Sequence, residues 1–319
     1  MKEEGAMSLG KIKFSDFPPD LNPKDNIYRD AIITATERIN LDLDVHFYGC
    51  YPNVEFTKKL KAYILSKLSN NGMVSWLNSQ QGIRVPSSKN EFNIWVTFEN
   101  RRPPHSNYDL TLSFDCDTYN GHNFYFPLIY QYMDIRGINN TYAKHKISPN
   151  VAMLKRDISK VQLLQKNSFL VSFINNPHPI RLKALHSLSE IDKVVTYGRS
   201  VNNYAEDKIS TSEEFWFSLC FENDLYPGYI TEKVLEAWLG WTIPLYWGND
   251  VSGILNPKAI INLANFSTMK DFVNFVSKLY GDRDQMINMI NQPLFIKEFK
   301  FEDLVSFFHQ GLRKKLALQ

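Results

Sequence analysis

Cysteine is scarce: the 319 residues hold three, Cys50, Cys116 and Cys220, far apart, odd in number and without a CxxC pair. That pattern excludes a secreted disulfide framework and a cysteine-built zinc site, and it fits a reducing compartment. The seven histidines show no HxxxH or mixed His/Cys ligand spacing. Neither sign of charge dominates, since 36 Lys and Arg against 34 Asp and Glu leave a net charge of +2. This is far from a dedicated nucleic-acid binder, so no nucleic-acid partner is expected. No window approaches the roughly 18 uncharged apolar residues of a membrane span. The start MKEEGAMSLGKIKF has no hydrophobic segment after its charges, so a cytoplasmic protein is expected. Internal repeats, a GxSxG elbow and a Walker loop are also missing.

What is present is a long chain, 44% hydrophobic, above the size at which one core stops growing, so two domains are expected. KIKFSDF, LDVHFYG, NIWVTF, YDLTLSF and FYFPLIYQYM read as strands, with helices in NIYRDAIITATERI and FTKKLKAYILSKLSNNG. After a polar segment, SFLVSFIN, KVVTYG, FWFSLCF, IPLYWG and AIINL read as a second strand series. IRLKALHSLSEI, YITEKVLEAWLGW and three later segments read as helices. Strands alternating with helices imply parallel sheets. The expected division is a domain over 1–158, a second over 159–300 and a C-terminal helix over 301–319. A crevice between the halves is the expected ligand site. The tail GLRKKLALQ leaves two readings open, a basic helix peripheral to the inner membrane face or a docking helix; its brevity favours docking.

One stretch, FENDLYPGYITEKVLEAWLGW, sets polar residues between two buried strands. Ile230, Val234 and Trp238, with Leu235 and Leu239, form a helical stripe, and Glu232, Lys233 and Glu236 fall off it. Thr231 as N-cap puts Glu232 and Lys233 in the first turn, where a helix amino terminus offers free N–H groups and about half a positive charge. A lysine there is misplaced for helix stability and well placed for a phosphate. Glu222, Asn223 and Tyr229 crowd the same strand end; without them a solvated Glu/Lys pair would be the simpler reading.

This stretch, continued through TIPLYWG, closely resembles the FEN…YxTEK…A…IPxYWG signature of the α-1,3/4-fucosyltransferases. Three weaker pieces follow the family's order: KIKFSDFPPDLNPKDN near the start, VTFENRRPPHSNYDLTLSFD, similar to YTGENxxPxFxxxDYAIGFD, and SFINNPHPIRLKALHSL, similar to SNxxxxxRxxFFxxL. The resemblance spans about residues 11 to 300. It implies an α/β fold of GT-B type with two facing Rossmann-like domains, and transfer of L-fucose from GDP-fucose to an oligosaccharide with inversion and without a cofactor or obligatory metal. A lipopolysaccharide O-chain or an N-acetyllactosamine-type glycan fits as acceptor. A relative using another GDP-hexose, or a silent nucleotide- or glycan-binding one, stays as an alternative.

Carried over residue by residue, Lys233 and Arg181 are implied at the GDP phosphates, and Glu232 at the fucosyl centre or a ribose hydroxyl. Asn223 and Tyr229 are implied in the donor pocket, and Glu99 as the base that takes the acceptor proton. Each has a structural alternative: a helix-start arginine for Arg181, a loop cap for Asn223 and Glu99, a core edge for Tyr229, a hydrogen-bonding role for Glu222. The chain departs from the family at Phe98, where a small residue is usual, and in KVVTYGRSVNN, where Gly198, Asn202 and Asn203 keep part of a Gly-rich run. Tyr197 and Arg199 do not, which bears on how the guanosine end is held; Gly198 and Asn203 remain candidate donor contacts. Asp115 and Asp117 form a DxD spacing, read here as a loop and not as a metal site.

Overall fold

The computed structural model describes residues 10–18, 21–39, 43–50, 86, 88, 90–99, 107–136 and 143–317. The helix expected over 56–72 lies outside them. The chain divides into two compact units, residues 1–126 with 300–319, and residues 127–299.

Among the described residues the first unit carries five strands, β1 (Ile12–Ser15), β2 (Val45–Tyr48), β3 (Phe92–Val96), β4 (Leu110–Ser113) and β5 (Asn123–Tyr125), all parallel and in chain order. Helix α1 (Ile27–Glu37) starts where the Asn26 side chain accepts the Arg29 N–H. It buries Ile27, Tyr28, Ala31, Ile32 and Ala35 on one face, the 3.6-residue period read from the sequence.

The second unit holds β6 (Ser168–Phe173), α2 (Pro179–Leu188), β7 (Val194–Tyr197), β8 (Phe215–Phe221), α3 (Glu232–Leu239), β9 (Ile243–Trp247), β10 (Ile261–Asn262), α4 (Met269–Tyr280) and α5 (Arg283–Ile290). Its sheet is parallel in the order β10-β9-β8-β6-β7. β8 is buried at all seven positions, as expected of a central strand covered on both faces. Phe217, Leu170 and Leu245 meet Phe272, Val276 and Ile290 of α4 and α5 in its core.

The boundary falls between Phe126 and Pro127, not after 158, and residues 127–158 join the second unit. FYFPLIYQYM is not one strand: β5 ends at Tyr125, and Leu128–Tyr132 form a 3-10 helix. Pro127 has no N–H to continue a ladder, and the Ile129 N–H donates to Ile230 O at 3.0 Å. Further along, the Arg156 guanidinium lies between the Trp238 and Trp241 rings, 3.7 and 4.1 Å from their centroids. It also donates to Trp238 O and Ile290 O at 2.6 and 2.8 Å.

The last helix, α6 (Phe301–Ala317), belongs to the first unit instead of standing apart. Leu304, Val305, Phe308, Gly311 and Leu312 are its buried residues, so its apolar face is already used inside the unit. Phe308 and Phe307 meet Phe47 and Phe124. Arg38 pairs with Glu302 at 2.5 and 2.8 Å, and Lys315 with Asp109 at 2.9 and 3.2 Å. Gly311 is required by closeness: a Cβ there would lie 2.5 Å from Leu110 Cδ1. Gly311→Val should destabilise the protein by about 1–3 kcal/mol through overpacking, seen as a lower urea midpoint at unchanged slope. An unchanged midpoint would show that α6 is not seated on β4.

Candidate functional site

The strand order of the second sheet makes a site before any side chain is considered. From β6 the chain moves outward to β7, then returns to β8 on the other side of β6. At such a reversal the loops leave in opposite directions and open a crevice at the carboxy ends of the strands. A cavity of about 270 Å3 lies there, walled by the ends of β6 and β8 and by α3. Arg181, Asn223, Glu232 and Lys233 all line it, so four of the eight sequence candidates converge at one place.

Arg181 sits in the first turn of α2 and is 5% exposed, which discards the reading as an exposed helix-start arginine. Its guanidinium donates to Asn176 O at 3.0 Å, Phe221 O at 2.7 Å and Asn223 Oδ1 at 2.8 Å. These bonds tie the ends of β6 and β8 together. Burial pushes the Arg181 pKa down, while Glu222 and Tyr229 favour its charge.

Lys233 donates from Nζ to Glu222 Oε2 at 3.1 Å and Thr231 Oγ1 at 2.9 Å. Burial works against its charge, but Glu222 and Glu232 outweigh it and its pKa is raised. Glu222 is fully buried, and that burial pushes its carboxyl up against the pull of Lys233 and the Thr231 donors. Thr231 occupies the N-cap position of α3 without capping it; its hydroxyl goes to Glu222 Oε2 at 2.7 Å.

The other candidates lie around this centre. Tyr229 is 2% exposed and is not part of the cavity lining. Gly198, at φ +122°, passes so close to β6 that a Cβ would meet Ile174 O at 2.3 Å, and its N–H donates to Asn203 O at 2.5 Å. Asn203 also donates to Thr196 O at 3.1 Å. Gly198 and Asn203 therefore build the loop beside the cavity without lining it. Glu99 stands half-buried just past β3 in the first unit. The preceding Phe98 is 4% exposed, with its ring 5.0 Å from Phe17, so the departure at this position fills the core. Asp115 accepts from the Tyr119 hydroxyl and Asp117 from the Tyr119 N–H. Among the described residues no group of three or more His, Cys, Asp or Glu is placed to hold a metal.

Sequence reasoning missed Lys208 and placed Glu236 off the packed stripe; both line the cavity. Glu236 is 6% exposed because cations surround it. It pairs with Lys144, with Lys208 Nζ at 3.0 Å and with His145 Nε2 at 3.5 Å. No local pattern shows this, since Lys144 and His145 come from the segment before β6.

Residues 163–291 match the model of glycosyltransferase family 10 (fucosyltransferase), C-terminal region. The chain is 27% identical over 260 residues to the alpha-(1,3)-fucosyltransferase FucT of Helicobacter pylori, covering 70% of this chain and 54% of that protein. It is 32% identical over 120 residues to human 4-galactosyl-N-acetylglucosaminide 3-alpha-L-fucosyltransferase FUT6, covering 35% of this chain and 33% of that one. The chain thus spans about half the length of the first relative and a third of the second. A crystal structure of an alpha1,3-fucosyltransferase superposes with TM-score 0.65 at 21% identity, over 98% of this chain and 93% of that one. Another, with GDP-fucose, gives 0.63 at 20% identity over the same shares. The fold is shared with these structures: α/β of the GT-B type, built on parallel Rossmann-like sheets. The likeness to glycosyltransferase family 10, the fucosyltransferases, lies in residues 163–291, within the second unit.

The Glu236 cluster has a consequence in acid. Burial opposes its charge, but His145, Lys208 and Lys144 hold its pKa down at about 2, against an ordinary 4.5. A depressed carboxylate contributes stability that is complete above pH 4.5 and is lost as pH falls toward 2, here of order ~3 kcal/mol. Glu236→Gln should therefore be less stable than wild type at pH 7 and close to it near pH 2, by denaturant melts across that range. Parallel curves would remove the assignment.

Proposed function

We propose that the protein is an inverting fucosyltransferase that moves L-fucose from GDP-β-L-fucose to O3 or O4 of N-acetylglucosamine or glucose in an oligosaccharide. The observation that carries this reading is the cavity at the β6/β8 reversal. There Arg181 and Lys233 supply two cations beside an N-cap whose side chain is turned away, inside the segment that matches the family. A diphosphate fits that chemistry, since helix N–H groups and fixed cations meet its charge without solvent reorganisation.

In the proposed step the acceptor hydroxyl oxygen attacks the anomeric carbon while its proton passes to Glu99. The bond from that carbon to the β-phosphate oxygen breaks, and its electron pair leaves with GDP. One displacement converts the β-linked donor into an α-linked product. Arg181, held by its bonds to Phe221 and Asn223, and Lys233 stabilise the charge that grows on the leaving diphosphate. Glu232 lines the same cavity and serves the fucosyl centre or a ribose hydroxyl. Tyr229 backs Arg181, and the Gly198–Asn203 loop flanks the guanosine end. With cations of the chain at the phosphates, the step needs no cofactor and no obligatory metal. The acceptor is assigned as an oligosaccharide of the lipopolysaccharide O-chain or N-acetyllactosamine type. A cytoplasmic location is part of the same proposal, supported by the low cysteine content of the sequence.

GDP-fucose offered with a panel of defined acceptors should give a fucosylated product whose formation survives EDTA; no product with any acceptor would overturn the reading. At a hundredfold excess over its dissociation constant, GDP should stabilise the chain by about 2.7 kcal/mol. Lys233→Ala should weaken GDP binding. Glu99→Gln should leave it intact and cut turnover roughly a hundredfold or more, as for loss of a general base. Full activity in Glu99→Gln would remove the base assignment.

A further inference from the structure

Glu222 is the residue after β8, and none of it reaches solvent. Its backbone N–H donates to Trp247 O at 2.8 Å, fixing it against the end of β9. Its carboxylate accepts the Thr231 N–H at 2.8 Å on Oε1, and the Thr231 hydroxyl at 2.7 Å and Lys233 Nζ at 3.1 Å on Oε2. Lys233 Nζ closes the ring by donating to Thr231 Oγ1 at 2.9 Å. A threonine at an N-cap ordinarily turns its hydroxyl onto the N–H groups of its own helix. Here the carboxylate takes that hydroxyl, and α3 starts without a side-chain cap. Lys233 has three N–H bonds; two are directed to the wall behind it, and its side chain is still 25% exposed along the cavity.

We propose that Glu222 is a positioning residue for the donor diphosphate: it aims the Lys233 ammonium, keeps it charged, and draws Thr231 off the helix start so that the α3 N–H groups stay open. The inference rests on the donor-site reading above. A carboxylate does all three where an amide can only accept hydrogen bonds, because only a charge offsets the desolvation of the ammonium. The groups that act on Lys233 are Glu222 from the end of β8, Glu232 beside it on α3 and Arg181 from α2, while Cys220 of β8 lies near both Glu222 and Lys233. The two carboxylates raise its pKa; burial and Arg181 lower it. Without Glu222 the balance tips toward the neutral amine.

The test is calorimetric GDP binding by the full chain from pH 7 to 9, in wild type, Glu222→Gln and Glu222→Asp. Gln keeps the size and one acceptor for the Thr231 N–H but carries no charge. GDP affinity should fall about tenfold at pH 7, as for a lost charge-assisted hydrogen bond. The ratio of variant to wild-type dissociation constant should widen toward pH 9, as Lys233 loses its proton earlier; titration of GDP itself cancels in that ratio. Asp keeps the charge one methylene farther back, and should give a smaller loss that is flat with pH. A purely structural carboxylate would lower the melting temperature and leave the GDP constant and its pH dependence unchanged, which overturns the proposal. Tighter binding by Glu222→Gln also overturns it, since Glu222 would then compete with the diphosphate for Lys233. Should the Gln variant fail to fold, weakened GDP binding by Glu222→Asp at an unchanged melting temperature supports the proposal, and equal affinity overturns it. If wild type binds no GDP at millimolar concentration, the donor-site reading falls, and this inference with it.

Discussion

A carboxylate removed from water must be met by donors, because an unpaired buried charge costs several kcal/mol. Glu222 is in that position, and much of the site follows from meeting its demand. Its need for donors bends Thr231 inward and anchors Lys233. The same carboxylate favours the charge on Arg181, which in turn ties the ends of β6 and β8 through Asn176, Phe221 and Asn223. Glu222, Asn223, Thr231 and Lys233 of FENDLYPGYITEK are thus, with Arg181, one connected arrangement. Its buried side is satisfied by the protein, and its other side opens on a cavity.

The sheet decides where that arrangement stands. With β8 and β7 flanking β6 on opposite sides, the reversal and the polar residues coincide. α3 presses Val234, Leu235 and Trp238 into the core while its first turn faces the cavity. The two requirements reinforce each other: the core fixes the rotation of α3 about its axis, and that rotation decides which residues line the space. Glu236, one turn on, lines the same space with both oxygens held by lysines, so this end of the cavity wall is set by charge as well as by packing.

Much of this was legible in the residues, for physical reasons. Strands such as FWFSLCF and SFLVSF are short apolar runs that only a covered parallel sheet accommodates, and α1 and α3 show the helical period. Where signals failed, the deciding partner was distant in sequence. FYFPLIYQYM reads as one strand because apolarity is continuous through it. Pro127 and the pull of Ile129 toward Ile230 end β5 and begin the second unit. The C-terminal helix reads as amphipathic, but its partners Phe47, Phe124 and Leu110 lie far upstream, so its place in the first unit could not be seen. The burial of Glu236 was hidden in the same way. Arg181, Asn223, Glu232 and Lys233 were legible as a group because three of them lie within one short stretch and the fourth aligns with a known pattern.

The most direct test of the account is a crystal structure of the chain with GDP. The diphosphate is predicted at the carboxy ends of β6 and β8, with phosphate oxygens within hydrogen-bond reach of Lys233, Arg181 and the first N–H groups of α3. Density for the nucleotide elsewhere, with this cavity holding only water, would contradict it.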